Sequence, residues 1–117
     1  MIIHLKRIYE PYATADGVRI LVDRLWPRGI KKEKAHVDRW FKDIAPTQEL
    51  RKWYKHDPNK FADFSKKYHT ELSKTVALDE LMGYIDHHDV ITFLYAAKEE
   101  RLSNAVVLRL IILERFK

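Results

Sequence analysis

The chain has 117 residues and a mass of about 14 kDa, with 22 Lys and Arg against 17 Asp and Glu, a net charge of +5, three glycines, four prolines and no cysteine. That length supports one folding unit, and a composition 46% hydrophobic and 33% charged belongs to a folded soluble protein without low-complexity segments. The missing cysteine excludes disulfide frameworks, zinc ribbons, iron–sulfur clusters and thiol nucleophiles, and so cysteine-dependent phosphatase, rhodanese and redox chemistry; it fits a reducing cytosol.

In chain order, Ile2, Ile3, Leu5 and Ile8 interleaved with His4, Lys6 and Arg7 predict a first strand with one wet face, ended by Pro11. Asp16-Gly17 is a turn signal, and Val18 to Val22 reads as a second, central strand. The connection between them is short for a parallel crossover, so the two are expected to form an antiparallel hairpin. Pro27-Arg28-Gly29 has the composition of a turn. Residues 31–46 fit either a helical face carrying Val37, Trp40, Phe41 and Ile44 or a short edge strand.

Thr47 opens a short helix as N-cap, with Glu49 in its first turn and Leu50, Trp53 and Tyr54 on one stripe, ending near His56. Asp57-Pro58 starts the next, whose buried face is Phe61, Phe64, Tyr68 and Leu72. Leu78, Leu81, Met82 and Ile85 form a third, closed by His87-His88-Asp89. Val90 to Tyr95 is apolar enough for a strand buried on both faces, and Ser103 or Asn104 caps a last helix. The order predicts an α/β fold: a single small domain, 1–117, with a mixed sheet of three or four strands covered by helices. No segment has the length of a membrane span and no export signal is present, which points to the cytoplasm.

The charge is uneven. Residues 24–60 hold 11 Lys and Arg against 5 Asp and Glu, and the rest of the chain sums to slightly negative. If the strands 18–22 and 90–95 run parallel, their carboxyl ends share one edge of the sheet, where ligands of open α/β sheets bind. That edge receives Asp23, Arg24 and Arg28 from the first, and Tyr95, Lys98 and the start of the last helix at Ser103-Asn104 from the second. Guanidiniums, an ammonium and a helix N-terminus suit an anion. Arg24, Arg28, Arg51, Lys98 and Asn104 are the candidate ligand-binding residues, and Asp23, His56, Asp57 and Tyr95 the candidate groups for orienting a ligand or transferring protons. Asp23 also reads as a turn-holding ion-pair partner and Asp57 as a helix cap.

Adjacent His87 and His88 lack the i, i+4 spacing of helical metal sites, and three glycines make no phosphate loop, so neither a metal nor a cofactor is expected. Trp26, Trp40 and Trp53 stand near basic residues, where they serve either packing or base stacking. The favoured reading is an arginine-lined pocket that binds or acts on a phosphorylated or acidic small molecule. The alternative is a nucleic-acid-associated protein using the basic 24–60 region.

Several runs also carry a resemblance. Lys6-Arg7-Ile8-Tyr9, Asp16-Gly17-Val18-Arg19, Val22 to Gly29 (VDRLWPRG), Ala45 to Tyr54 (APTQELRKWY), His56-Asp57-Pro58, the Phe64, Tyr68, Leu72 helix, and LYAAKEE ahead of Asn104-Ala105 together resemble the domain of unknown function 488 family, in its YeaO-like branch. The resemblance spans nearly the whole chain and implies an α/β fold with motifs at the strand ends and in the 45–58 region. It supplies no activity. The chain departs from the family pattern at Lys55, where Gly is usual, and across residues 99–103, where an acid and a His usually precede the Asn. Some similar proteins carry a MarR-type regulator label, but this sequence lacks a helix-turn-helix followed by a β-hairpin wing.

Overall fold

A computed structural model describes residues 1–116. Four strands, β1 (Ile2–Arg7), β2 (Val18–Leu21), β3 (Arg39–Trp40) and β4 (Val90–Tyr95), form one sheet in the order β1-β4-β2-β3. Every pairing is parallel. The helices are α1 (Lys32–Ala35), α2 (Gln48–Tyr54), α3 (Phe61–Ser73), α4 (Ala77–Ile85) and α5 (Asn104–Arg115). The α/β fold agrees with the sequence, and none of the described helices is long and apolar enough to cross a membrane. Residues 31–46 contain both alternatives, one helical turn and a two-residue edge strand.

The expected hairpin is not formed, and the sheet is not mixed. β4 lies between β1 and β2, pairing Ile3 with Ile91 on one side and Ile20 with Phe93 on the other. Its residues from Ile91 to Tyr95 are all buried, so it requires a partner on each edge as well as cover on each face. Residues 8–17 return the chain over the sheet with only a 3-10 turn at Thr14–Asp16 in place of a crossover helix. Extended chain at about 3.3 Å per residue covers the length of a short strand in far fewer residues than a helix does.

Alternation then divides the core. Ile3, Ile20, Ile91, Phe93 and Tyr95 face the layer of α2, α3, α4 and α5, joining Phe64, Tyr68, Leu81 and Leu108. Leu21 and Leu94 face the other way, onto a thinner layer with Ile8, Ala35, Trp26 and Trp40. Burying each such large side chain stabilises by about 1.5–3 kcal/mol.

The amino end of β2 is anchored ionically on the thin side. Arg19, 2% exposed, ion-pairs with Asp16 and donates to the carbonyls of His36 (3.0 Å) and Ala35 (3.2 Å). Lys6 Nζ reaches Asp16 at 3.0 Å. Burial acts to raise the Asp16 carboxyl, but hydrogen bonds from Lys6, the Ala13 amide and Arg19 outweigh it and hold the group below its ordinary value. Gly17 sits at φ +66°, and a Cβ there would lie 2.2 Å from the Val90 carbonyl oxygen. Only glycine fits.

Candidate functional site at the carboxyl edge of the sheet

β2 and β4 end side by side, as Leu21 pairs with Leu94, so the segments that follow them emerge together. Val22 is fully buried and its amide donates to the Leu94 carbonyl at 3.1 Å, which delivers Asp23 to the edge in a fixed position. The Asp23 carbonyl accepts from the Trp40 indole at 2.7 Å, and its carboxylate accepts the Ala96 N–H at 2.8 Å. Backbone and side chain are therefore both held.

Burial pushes the Asp23 carboxyl above its ordinary value, and the Ala96 N–H, the nearby Arg51 and His56 side chains and the Asn104 amide only partly offset this. Asn104 comes from the first turn of α5 and also donates to the Val22 carbonyl at 3.2 Å. Ser103, at the N-cap of α5, is fully buried, and its hydroxyl has no hydrogen-bond partner among the described residues. The cationic side is built by α2. Thr47 caps it by accepting from the Leu50 amide, and in turn donates from its own amide and hydroxyl to Glu71 of α3 at 3.0 and 2.5 Å. Arg51 is exposed one turn into this helix. The helix ends at Tyr54 with Lys55 and His56 both left-handed, at φ 50° and 56°. Such φ values are unfavourable for residues with a Cβ, which accounts for Gly being usual at 55 in the resembled family. The turn places the His56 ring 5.5 Å from that of Tyr54.

Asp23, Arg51, His56 and Asn104 are thus drawn to one place, and the other expected members have separate duties or positions. Arg24 turns toward the preceding segment of α2 and donates to the carbonyls of Ala45 (3.1 Å) and Pro46 (3.3 Å), bracing that connection. Arg28 is exposed on its turn, where its carbonyl accepts from Tyr9, and Lys98 is exposed beyond β4; neither side chain has a hydrogen bond or ion pair among the described residues. Asp57 caps the 3-10 turn before α3 through the Asn59 amide at 2.9 Å. Tyr95 is 2% exposed in the core, and burial with the nearby charges of Glu100 and Glu10 raises its phenol, so it remains protonated.

Arg7 is a member of this edge that the strand pattern did not single out. It donates to the carbonyls of Ala97 (2.8 Å) and Ala96 (3.0 Å), clamping the segment whose amide holds Asp23. An antiparallel β1 would carry Arg7 to the opposite edge; in the parallel sheet it pairs with Tyr95. Tyr54 and Tyr68, noted only as packing residues, also tie the site's loops, donating to the carbonyls of Leu102 (2.8 Å) and Ile44 (2.6 Å).

The tryptophans are occupied by their own chain. Trp26 and Trp40 meet edge to face at 5.6 Å, and the Trp26 indole donates to the Ile30 carbonyl. Trp53 carries the ammoniums of Lys60 and Lys67 over its ring, each at 5.0 Å. No three His, Asp or Glu residues among the described ones are grouped to hold a metal ion.

A family model described as the inactive DUF488-N3 subclade matches residues 2–117. The chain is 42% identical over 106 residues to the uncharacterized protein Rv3073c of Mycobacterium tuberculosis, covering 91% of this chain and 89% of that one. It is likewise 42% identical over 108 residues to the uncharacterized protein YeaO of Escherichia coli K12, covering 92% and 94%. No solved structure matches.

Proposed function

We propose that this chain, which belongs to the DUF488 family through its inactive DUF488-N3 subclade, binds a small acidic or phosphorylated molecule at the carboxyl edge of its sheet. The observation that carries the reading is Asp23, a carboxyl fixed by the Ala96 N–H at 2.8 Å and pushed above its ordinary value by burial, set beside Arg51, His56 and the Asn104 amide. A neutral carboxyl donates a hydrogen bond to an anionic oxygen, and a guanidinium supplies paired donors and charge. The buried, unpartnered Ser103 hydroxyl and the Asn104 amide at the start of α5 add polar groups next to the same helix N-terminus. The subclade's description supports binding over turnover.

The test is calorimetric titration with inorganic phosphate, phosphoglycolate and malonate. Arg51→Ala should weaken the tightest of them by at least about tenfold, the equivalent of about 1.4 kcal/mol. Arg28→Ala should leave affinity within about twofold. Binding should tighten as the pH falls toward the raised Asp23 value and lose that dependence in Asp23→Asn. If neither Arg51→Ala nor Asp23→Asn alters binding, the carboxyl edge is not the site. The alternative reading, nucleic-acid association through residues 24–60, predicts instead an affinity that falls steeply with salt for every oligonucleotide sequence.

A further inference from the structure

On the opposite face of the sheet the β1 to β2 connection and the α1 region border an open cavity of about 530 Å³. That volume lies in the range of small-molecule sites. Its lining combines buried Ile8 and Ala35 with Tyr9, Tyr12, His36, Lys31 and Lys34. Tyr12 and His36 are stacked, their centroids 4.2 Å apart and their planes within 16°. Neither ring is buried: Tyr12 is 48% exposed and His36 is exposed too. His36 takes a left-handed conformation, φ 51°, as the residue that ends α1, and its carbonyl is fixed by the Arg19 guanidinium at 3.0 Å. Tyr9 is pinned by its hydroxyl to the Arg28 carbonyl at 3.0 Å. These aromatic groups are therefore set in place by the fold and still open to the outside.

The charge around them is selective. Arg19 is neutralised by Asp16; Glu10, also in the lining, is turned to the Arg7 amide at 2.8 Å and keeps its negative charge. The side-chain ammoniums of Lys31 and Lys34, by contrast, line the cavity without a hydrogen bond or ion pair among the described residues. The Arg19 guanidinium also lies over the Tyr12 ring, at 5.3 Å, so the outer face of His36 is the one that takes up a further planar ring by stacking. Two unpaired ammoniums match the charge of one phosphate.

We propose that this cavity is a nucleotide site, in which a base stacks on the His36 side of the Tyr12 and His36 pair and its phosphate is held by Lys31 and Lys34. The site is separate from the carboxyl edge, which lies on the helix-covered side with Asp23. The small volume and the pair of ammoniums favour a single nucleotide over a longer strand.

The experiment is titration of the full chain with AMP, adenosine, inorganic phosphate and a single-stranded oligonucleotide, followed by calorimetry and by the His36 ring resonances. AMP should bind at least about tenfold more tightly than adenosine or phosphate and should shift the His36 signals. Lys31→Ala/Lys34→Ala should weaken AMP by at least about tenfold with little effect on adenosine. His36→Asn, chosen because asparagine accepts the left-handed backbone, should weaken AMP and adenosine alike. Each variant is compared at an unchanged melting temperature, since these residues are exposed. The proposal is overturned if AMP binds no better than phosphate, if the folded lysine and His36 variants bind AMP as the wild type does, or if AMP binding is lost in Arg51→Ala. An oligonucleotide that binds more tightly than AMP with a steep salt dependence would equally overturn the single-nucleotide assignment.

Discussion

Two aspartates bracket β2, each followed closely by an arginine, and the fold treats them in opposite ways. At the amino end Asp16 has two cationic partners, Arg19 and Lys6, and its carboxyl is held below the ordinary range. At the carboxyl end Asp23 makes no ion pair among the described residues; Arg24 turns away to the Ala45 and Pro46 carbonyls, and burial pushes the Asp23 carboxyl up. A buried carboxylate with cationic partners contributes to stability, whereas one held by neutral amides alone, without an ion pair, leaves capacity for something else. The first is an anchor for the crossover, and the second marks the proposed site.

The largest blow to the anchored end is Gly17→Ala, which drives a methyl group into the Val90 carbonyl in a left-handed backbone. We expect a loss above about 4 kcal/mol by urea unfolding, or no folded protein; a loss under about 1 kcal/mol would show that the crossover is not pinned there. Asp16→Asn removes the charge that pairs with buried Arg19 and should cost about 3–5 kcal/mol. Its pH signature follows from the lowered carboxyl: the Asp16 contribution is present above the ordinary value of 3.8 and is lost as pH falls through the depressed folded value. Asp16→Asn should therefore flatten the acid limb of the stability curve.

Asp23→Asn should behave in the opposite sense. A raised carboxyl favours the folded state in acid, and that advantage is lost as pH rises through the folded value, so the wild type carries a penalty at neutral pH that the amide lacks. The variant should melt a few degrees higher at neutral pH, with the gain fading in acid. A loss comparable to that of Asp16→Asn would erase the distinction between the two ends. Lys55→Gly is the smallest effect: relief of the left-handed conformation, less the entropy of glycine, should stabilise by up to about 1 kcal/mol in the same assay.

Much of this was readable from the chain. The Leu50, Trp53, Tyr54 stripe, the caps at Thr47 and Asp57 and the apolar run Val90–Tyr95 identified their elements because each signal is local. The parallel run of β2 and β4 also put Asp23 and Asn104 at one edge. The antiparallel reading of β1 failed because pairing depends on what lies between two strands, and β4 arrives some 70 residues after β2. That single error concealed Arg7. The expected cluster of cations was thinner than supposed for a related reason: sequence position brings Arg24 and Arg28 to an edge, but it does not say whether a guanidinium meets open space or two nearby carbonyls.

By itself, then, the sequence determined the α/β class, the helix starts, the exclusion of thiol chemistry and the concentration of positive charge in residues 24–60. These depend on composition, on periodicity and on side chains reaching backbone groups a few residues away. Tertiary structure alone decided strand order, the separation of the two aspartates into paired and unpaired, and the meeting of Tyr12 with His36. Those outcomes are set by packing between segments distant in the chain, where burial and partner supply are properties of the whole fold.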